Sequence, residues 1–236
     1  MTDLLQYLRN GFYSEVALFL ILLATLGVSI KHRNKIPGLR FFPAYLVSFL
    51  ALLAFEYVLM IIPTVPNRAI KLIDFFGNYV VTIFEFFTFF YFFHFTIQSN
   101  AYKRFIRILC TITCMILSFP FLISASLQNI RTLHTIYIIE SIVLVLICIL
   151  YFIELFNSPP ILSLTNTSHF WISSGLLFYL LGTLPVTIIT DYIYTLNYFL
   201  YANLYAIVNV FYCLLFILVI RAYKCTSQTA TYLVSY

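Results

Sequence analysis

The sequence of 236 residues is 63% hydrophobic and only 9% charged, with a mean hydropathy of +1.00, whereas a water-soluble domain carries about 25% charged residues. Its 13 Lys and Arg against 8 Asp and Glu give a net charge of +5, but the basic residues sit in short segments between apolar runs, which argues against a nucleic-acid-binding groove or tail. The five cysteines, Cys110, Cys114, Cys148, Cys213 and Cys225, are not placed as the framework of a disulfide-stapled secreted domain.

A hydrocarbon core about 30 Å thick is crossed by about 20 apolar helical residues, and the chain divides into seven such segments. The first covers 12–30. Asp3, Arg9 and Glu15 lie before or at its start and no small-residue cleavage site follows a basic leader, so a retained helix is expected rather than a signal peptide. Lys31, His32, Arg33 and Lys35 close it, and Pro37-Gly38 turns the chain. The second covers 41–62 and ends at Pro63 and Pro66. A short loop with Arg68, Lys71 and Asp74 leads to the third, 75–97, which is rich in Phe. Lys103, Arg104 and Arg107 precede the fourth, 105–125. A turn at Gln128-Asn129 leads to the fifth, 133–156, which stops at Asn157-Ser158-Pro159-Pro160. The sixth covers 170–189 and the seventh 196–220, closed by Arg221 and Lys224; a short polar tail occupies 226–236. The expected fold is an all-α polytopic transmembrane bundle forming one domain over 1–225.

Basic residues alternate between the two sides of this arrangement. One side collects Lys31, Arg33, Lys35, Arg40, Lys103, Arg104, Arg107, Arg221 and Lys224; the other has Arg9, Arg68, Lys71 and Arg131. Because Lys and Arg favour the cytoplasmic side, the N-terminus is expected outside and the C-terminus in the cytoplasm.

Three carboxylates lie inside apolar spans: Glu56, Glu85 and Glu140. The topology sets them between the outer half and the middle of the membrane, where an acid is costly and faces a bundle interior. At the helical period, Asn78, Thr82, Glu85, Thr88 and Thr96 fall on one face of the third helix, and Tyr137, Glu140, Ser141, Cys148, Tyr151 and Glu154 on one broad side of the fifth. The seventh contributes Asn203 and Asn209. The candidates for binding a ligand or cation are therefore Glu56, Glu85, Glu140, Asn78, Thr82, Tyr137 and Asn203. The competing reading makes the acids structural, protonated or hydrogen-bonded between helices. No basic residue lies deep in a span to neutralise them.

Gly175, Gly182 and Trp171 lie along one face of the sixth helix and are expected to serve helix packing, with Pro185 a potential bend. The four His residues are scattered near helix ends, and Cys110 with Cys114 lacks a second pair, so no metal site is expected. The chain has no HExxH, Walker, GxSxG or aspartate-rich diphosphate motif, and no Lys inside the seventh helix to hold retinal. No cofactor is expected, and catalytic residues are not assigned.

The run Phe170-Trp171-Ile172, Gly175, Tyr179 and Gly182-Thr183, together with the spans bearing Glu56, Glu85 and Glu140 and the Asn-containing seventh helix, resembles small, uncharacterised seven-helix integral membrane proteins of the Bacteroidota. The resemblance implies a multi-pass protein and supplies no activity. The leading functional expectation, in a bacterial inner membrane, is a sensor or accessory module binding a small ligand, cation or lipid in the outer half of the bundle. The next is a proton- or cation-coupled transporter of small solutes, and the third a structural scaffold. The expected partners are membrane lipids and a cytoplasmic or membrane protein, not nucleic acid.

Overall fold

The structure is a computed structural model that describes residues 2–61, 67–122, 130–157, 166–196 and 198–225; within these, the side chains of 2–12, 56–61, 67–74, 119–122, 130–133 and most of 190–202 are not described. The segments at 62–66, 123–129 and 158–165, with the expected turns and stops they contain, and the tail at 226–236 lie outside the described residues. Among the described residues there are seven α-helices and no strand: α1 (Thr2–Lys31), α2 (Phe42–Ile61), α3 (Asn67–Thr96), α4 (Asn100–Leu122), α5 (Ile130–Asn157), α6 (Ser168–Leu196) and α7 (Tyr198–Lys224), with a single 3₁₀ turn at Pro37–Leu39 between α1 and α2.

Among the described residues six stretches are long and apolar enough to cross a membrane: Tyr13–Lys31, Pro37–Phe55, Phe75–Thr96, His134–Asn157, Ser168–Ile189 and Asn203–Lys224. The chain is a multi-pass membrane protein. α4 is not among the six because its side chains are described only as far as Ser118, short of the end of the expected span 105–125. It nevertheless runs the length of the bundle. Its start is tied to the far end of α5, where the Glu154 Oε1 accepts from the Gln98 N–H at 3.0 Å and the Ser99 N–H at 2.7 Å. Further along, the Leu117 carbonyl accepts from the Tyr79 hydroxyl, and Tyr79 lies about 25 Å of helical rise from Thr96. α3 begins eight residues before the expected span, at Asn67, because a helix can continue past the hydrocarbon boundary where hydropathy no longer marks it.

The six apolar helices close into a ring. α1 packs on α2 and α7, α2 on α3, α3 on α5, α5 on α6 and α6 on α7, while α4 lies outside against α5 and α3. Lipid leaves no hydrophobic drive between helices, so close fit must hold them together. α6 meets α7 through its glycines. A Cβ on Gly175 would lie 3.1 Å from the Leu218 Cβ, and one on Gly182 would lie 2.3 Å from the Phe211 ring. Trp171 carries the Arg221 guanidinium 5.4 Å from its ring centre. The Phe residues of α3 divide by face. Phe86, Phe89, Phe92 and Phe93 are fully buried, whereas Phe84, Phe87 and Phe95 are exposed on the outer surface of the ring, as lipid-facing positions require.

One end of the bundle holds the Lys and Arg residues whose side chains are described. The Lys35 Nζ donates to the Tyr223 carbonyl at 3.3 Å, and Gly38 sits against the Phe92 backbone, where a Cβ would lie 3.1 Å from its Cα. The α1–α2 turn, the α3–α4 turn and the end of α7 therefore meet at this end, called here the basic end.

Gly182→Val should force the Phe211 ring out of the α6–α7 contact and cost about 1–3 kcal/mol, typical of overpacking. The unfolding temperature in detergent should fall, and a second change, Phe211→Leu, should recover most of the loss. An unchanged unfolding temperature would contradict this contact.

Candidate functional site

Inside the ring, α3 presents Glu85, α5 presents Glu140 and Tyr137, α2 presents Tyr45, α6 presents Tyr179 and Thr183, and α7 presents Tyr212. Glu85 is 2% exposed and Glu140 1%. The Tyr45 hydroxyl donates to the Glu85 Oε2 at 3.2 Å, and the Tyr179 hydroxyl also acts on this carboxyl. The Tyr137 hydroxyl lies 2.7 Å from that of Tyr179 and 3.2 Å from the Thr183 Oγ1. The Tyr179 and Tyr212 rings stand 4.5 Å apart. Glu140 has Glu85 as its charged neighbour. Five of the six ring helices thus converge on one cluster of two carboxyls and four phenols. Counted from Thr96, Ser168 and Lys224, Glu85, Tyr179 and Tyr212 stand about 16–18 Å of helical rise from the basic end, about half the thickness of the hydrocarbon core.

Hydrogen bonding in the cluster is incomplete. The Glu85 Oε1, both Glu140 carboxyl oxygens and the neighbouring Ser141 Oγ are buried without a hydrogen-bond partner among the described residues. A buried acceptor left unpaired costs about 1–3 kcal/mol, and more when charged. No Lys, Arg or His side chain pairs with either carboxyl among the described residues. A proton, a cation or a polar group carried by a ligand would complete the site chemically.

The basic side of the cluster is packed solid with rings. Phe42 stands 6.2 Å from Phe89 and 6.5 Å from Phe216, and Phe49 stands 5.2 Å from Tyr212. Phe42, Phe89 and Phe216 are all fully buried. The carboxyl pair is therefore screened by aromatic side chains from the end that holds the basic residues.

The sequence-derived candidates distribute unevenly. Glu85, Glu140 and Tyr137 come together. Thr82 is buried one turn from Glu85, but its hydroxyl donates to the Asn78 carbonyl at 2.9 Å, the back-bond by which Thr satisfies itself within a helix. Thr25, Thr96, Thr113 and Thr187 do the same. Asn78 is partly buried on α3, two turns from Glu85. Asn203 is partly buried on α7, about 14 Å of rise from Tyr212, so it stands at another level. Asn209 links α7 to α1 by donating to the Ser14 Oγ at 3.2 Å. Glu56 lies in α2 with its side chain outside the described residues, as is that of Asp191 in α6.

Sequence reasoning missed Tyr45, Tyr179, Tyr212 and Thr183 as site residues. Their signal was a phenol or hydroxyl well inside a span rather than at its boundary, but 19 Tyr residues obscure it. Among the described residues no group of three His, Cys, Asp or Glu could hold a metal ion. Cys110 and Cys114 have sulfurs 3.9 Å apart on α4, away from the cluster.

No family model, curated protein or solved structure matches this chain.

Tyr45→Phe should lower stability by about 1.5–3 kcal/mol, the range for a hydrogen bond to a charged group, read as a lower midpoint of denaturant unfolding in mixed micelles. In a Glu85→Gln background the same change should cost clearly less, since the pair acts as one unit. Equal costs in both backgrounds would mean that Tyr45 acts only through packing.

Proposed function

We propose that this protein is a sensory or accessory module of a bacterial inner membrane that takes up a proton or small cation at the Glu85–Glu140 pair. One observation carries the reading: two buried carboxyls inside one ring of helices, near enough to act on each other electrostatically, three of their oxygens unpartnered, with no positive side chain paired to them among the described residues. Tyr45 holds Glu85 in place, and Tyr137 joins α5 to Tyr179 and Thr183 of α6. Loading the pair changes the charge at the centre of the ring, where five helices meet, and that is the change a partner protein would read. Kinship with the seven-helix proteins of the Bacteroidota belongs to the same proposal and rests on Phe170-Trp171-Ile172, Gly175, Tyr179 and Gly182-Thr183.

The proposed orientation puts the basic end in the cytoplasm, supported by the clustering there of the α1–α2 turn, the α3–α4 turn and the end of α7 with their Lys and Arg residues. A green fluorescent protein fused at the C-terminus should then fluoresce, and a periplasm-dependent phosphatase fused there should be inactive. The reverse pattern would invert the orientation.

Coupled transport is a second reading, favoured by Pro185 inside α6, two residues beyond Thr183. Proline removes a backbone donor and weakens the helix next to the Thr183 hydroxyl. Against it, α3 and α5 run unbroken past Glu85 and Glu140, whereas transporter sites are commonly built on discontinuous helices.

The deciding experiment is thermal unfolding in nanodiscs across pH and across sodium, potassium and calcium, with Glu85→Gln, Glu140→Gln and the double variant. The wild-type unfolding temperature should respond to pH or to one cation, and the double variant should lose that response. A response retained in full by the double variant would sink the proposal. Proteoliposomes separate the two readings: a cation or proton flux that Glu140→Gln abolishes would favour transport over sensing.

A further inference from the structure

A second site lies on the outside of the ring, independent of the carboxyl pair. A groove of about 500 Å³ opens on the lipid-facing side of α2 and α3, headed by Arg33 and Arg40 of the α1–α2 turn and lined beyond them by Phe41, Val47, Ala51 and Phe84. We infer that this groove binds one anionic phospholipid of the leaflet at the basic end, its phosphate held by Arg33 and Arg40 and an acyl chain lying along α2.

The head of the groove is fixed and cationic. Arg40 ends the 3₁₀ turn Pro37–Leu39, its N–H donating to the Pro37 carbonyl at 3.3 Å, and the turn is pinned where Gly38 meets the Phe92 backbone. Arg33 sits in the turn after α1, its N–H on the Ile30 carbonyl at 3.4 Å. Both side chains are exposed, and neither pairs with a carboxylate among the described residues. Two such guanidiniums offer the planar donor forks that suit a phosphate.

The body of the groove is apolar and faces acyl chains. Val47 is 51% exposed and Phe84 40%, on the outer surface of a membrane-spanning ring. Phe41 is braced by Tyr91, edge to face at 5.1 Å. Ser48, the polar lining residue below the arginines, turns its hydroxyl inward to the Tyr45 carbonyl at 2.7 Å, so it adds no donor to the surface. From Phe42 to Ala51 α2 rises about 14 Å, close to the depth of one leaflet's hydrocarbon, about 15 Å. A positive head and an apolar trough of leaflet depth match a phospholipid rather than a soluble anion or a peptide. A net negative headgroup fits two unneutralised guanidiniums better than a zwitterionic one, whose ammonium opposes them.

The test is native mass spectrometry of the full chain released from nanodiscs containing equal phosphatidylglycerol and phosphatidylcholine. The wild type should retain one phosphatidylglycerol in preference to phosphatidylcholine. Arg33→Gln with Arg40→Gln should reduce that preference about tenfold or more, the scale of losing charge-assisted hydrogen bonds. Val47→Trp or Ala51→Phe, which fill the trough and leave both arginines, should lower retention of the lipid. Arg104→Gln with Arg107→Gln, an equal loss of charge at the same end outside the groove, should change nothing. Equal retention of the two lipids by the wild type, or the same loss in the Arg104/Arg107 variant as in the Arg33/Arg40 variant, would overturn the site, as would undiminished retention in both filled-groove variants. Circular dichroism and a monodisperse elution profile confirm that each variant scored is folded.

Discussion

Two carboxyls share the interior of a ring of helices in which, among the described residues, no Lys, Arg or His pairs with them, and the arrangement around them follows from that constraint. Removing one carboxylate from water costs several kcal/mol even after the protein relaxes, and a second negative charge beside it adds repulsion. A hydrogen bond from a neutral donor to a charged group returns about 1.5–3 kcal/mol. The bond from Tyr45 to Glu85 and the influence of Tyr179 therefore do not offset two ionised groups. Glu140, with both oxygens unpartnered, depends most on a proton, a cation or a ligand. The phenols hold Glu85; Glu140 is the side that remains open to chemistry.

The division between tyrosine and threonine sharpens the point. Threonine hydroxyls in this bundle turn back to their own helix: Thr25, Thr82, Thr96, Thr113 and Thr187 all bond the carbonyl four residues earlier. A short side chain in a bilayer has that exit, because its backbone is within reach. A phenol on a long rigid arm does not, so a buried tyrosine that is satisfied finds its partner on another helix, whereas the buried Tyr223 hydroxyl has none among the described residues. Tyr45 reaches α3, Tyr79 reaches α4 and Tyr137 reaches α6. The interhelical polar contacts of the core are consequently built largely from tyrosine, and the polar stripe on α3 is less of a site than its spacing implies.

The same physics explains which features were legible in the sequence. The all-α membrane class was legible because bilayer thickness imposes length and composition on every span. The seven helices followed, with α3 longer than expected because hydropathy reports where the hydrocarbon ends, not where a helix ends. Glu85 and Glu140 stood out because an acid in an apolar span has no ordinary explanation, and Tyr137 was found through its spacing from Glu140. Tyr45, Tyr179 and Tyr212 were hidden because phenols also populate the membrane boundaries, and only their tertiary partners separate an interior phenol from a boundary one. Thr82 shares the face of Glu85, but a helical face gives direction and not whether a hydroxyl is already satisfied, as that of Thr82 is by the Asn78 carbonyl. Asn203 shares a helix with Tyr212 but not its depth. The Arg33–Arg40 groove needed two separate segments, the α1–α2 turn and the outer face of α3, to be brought together.

The carboxyl cluster and the basic end are joined by one continuous element. α3 runs unbroken from Glu85 to Thr96, carrying Phe89, Phe92 and Phe93, all fully buried. At its end the Gln98 and Ser99 amides are held by Glu154 of α5. Beside it, the Phe92 backbone leaves Gly38 no room to give, since even a Cβ there would lie at 3.1 Å. Close-packed interiors shift between discrete arrangements rather than deform smoothly. A change in charge at Glu85 large enough to move α3 along its axis would therefore have to break the Glu154 cap or displace the Pro37–Leu39 turn, and that turn carries Arg40. A smaller change would be absorbed by the phenols around the carboxyls and go no further. Whether the site communicates with the basic end is thus decided by the strength of the α3–α5 cap relative to the Tyr45–Glu85 contact, and the cap, with two amide donors on one carboxylate oxygen, is the stronger restraint by number of hydrogen bonds.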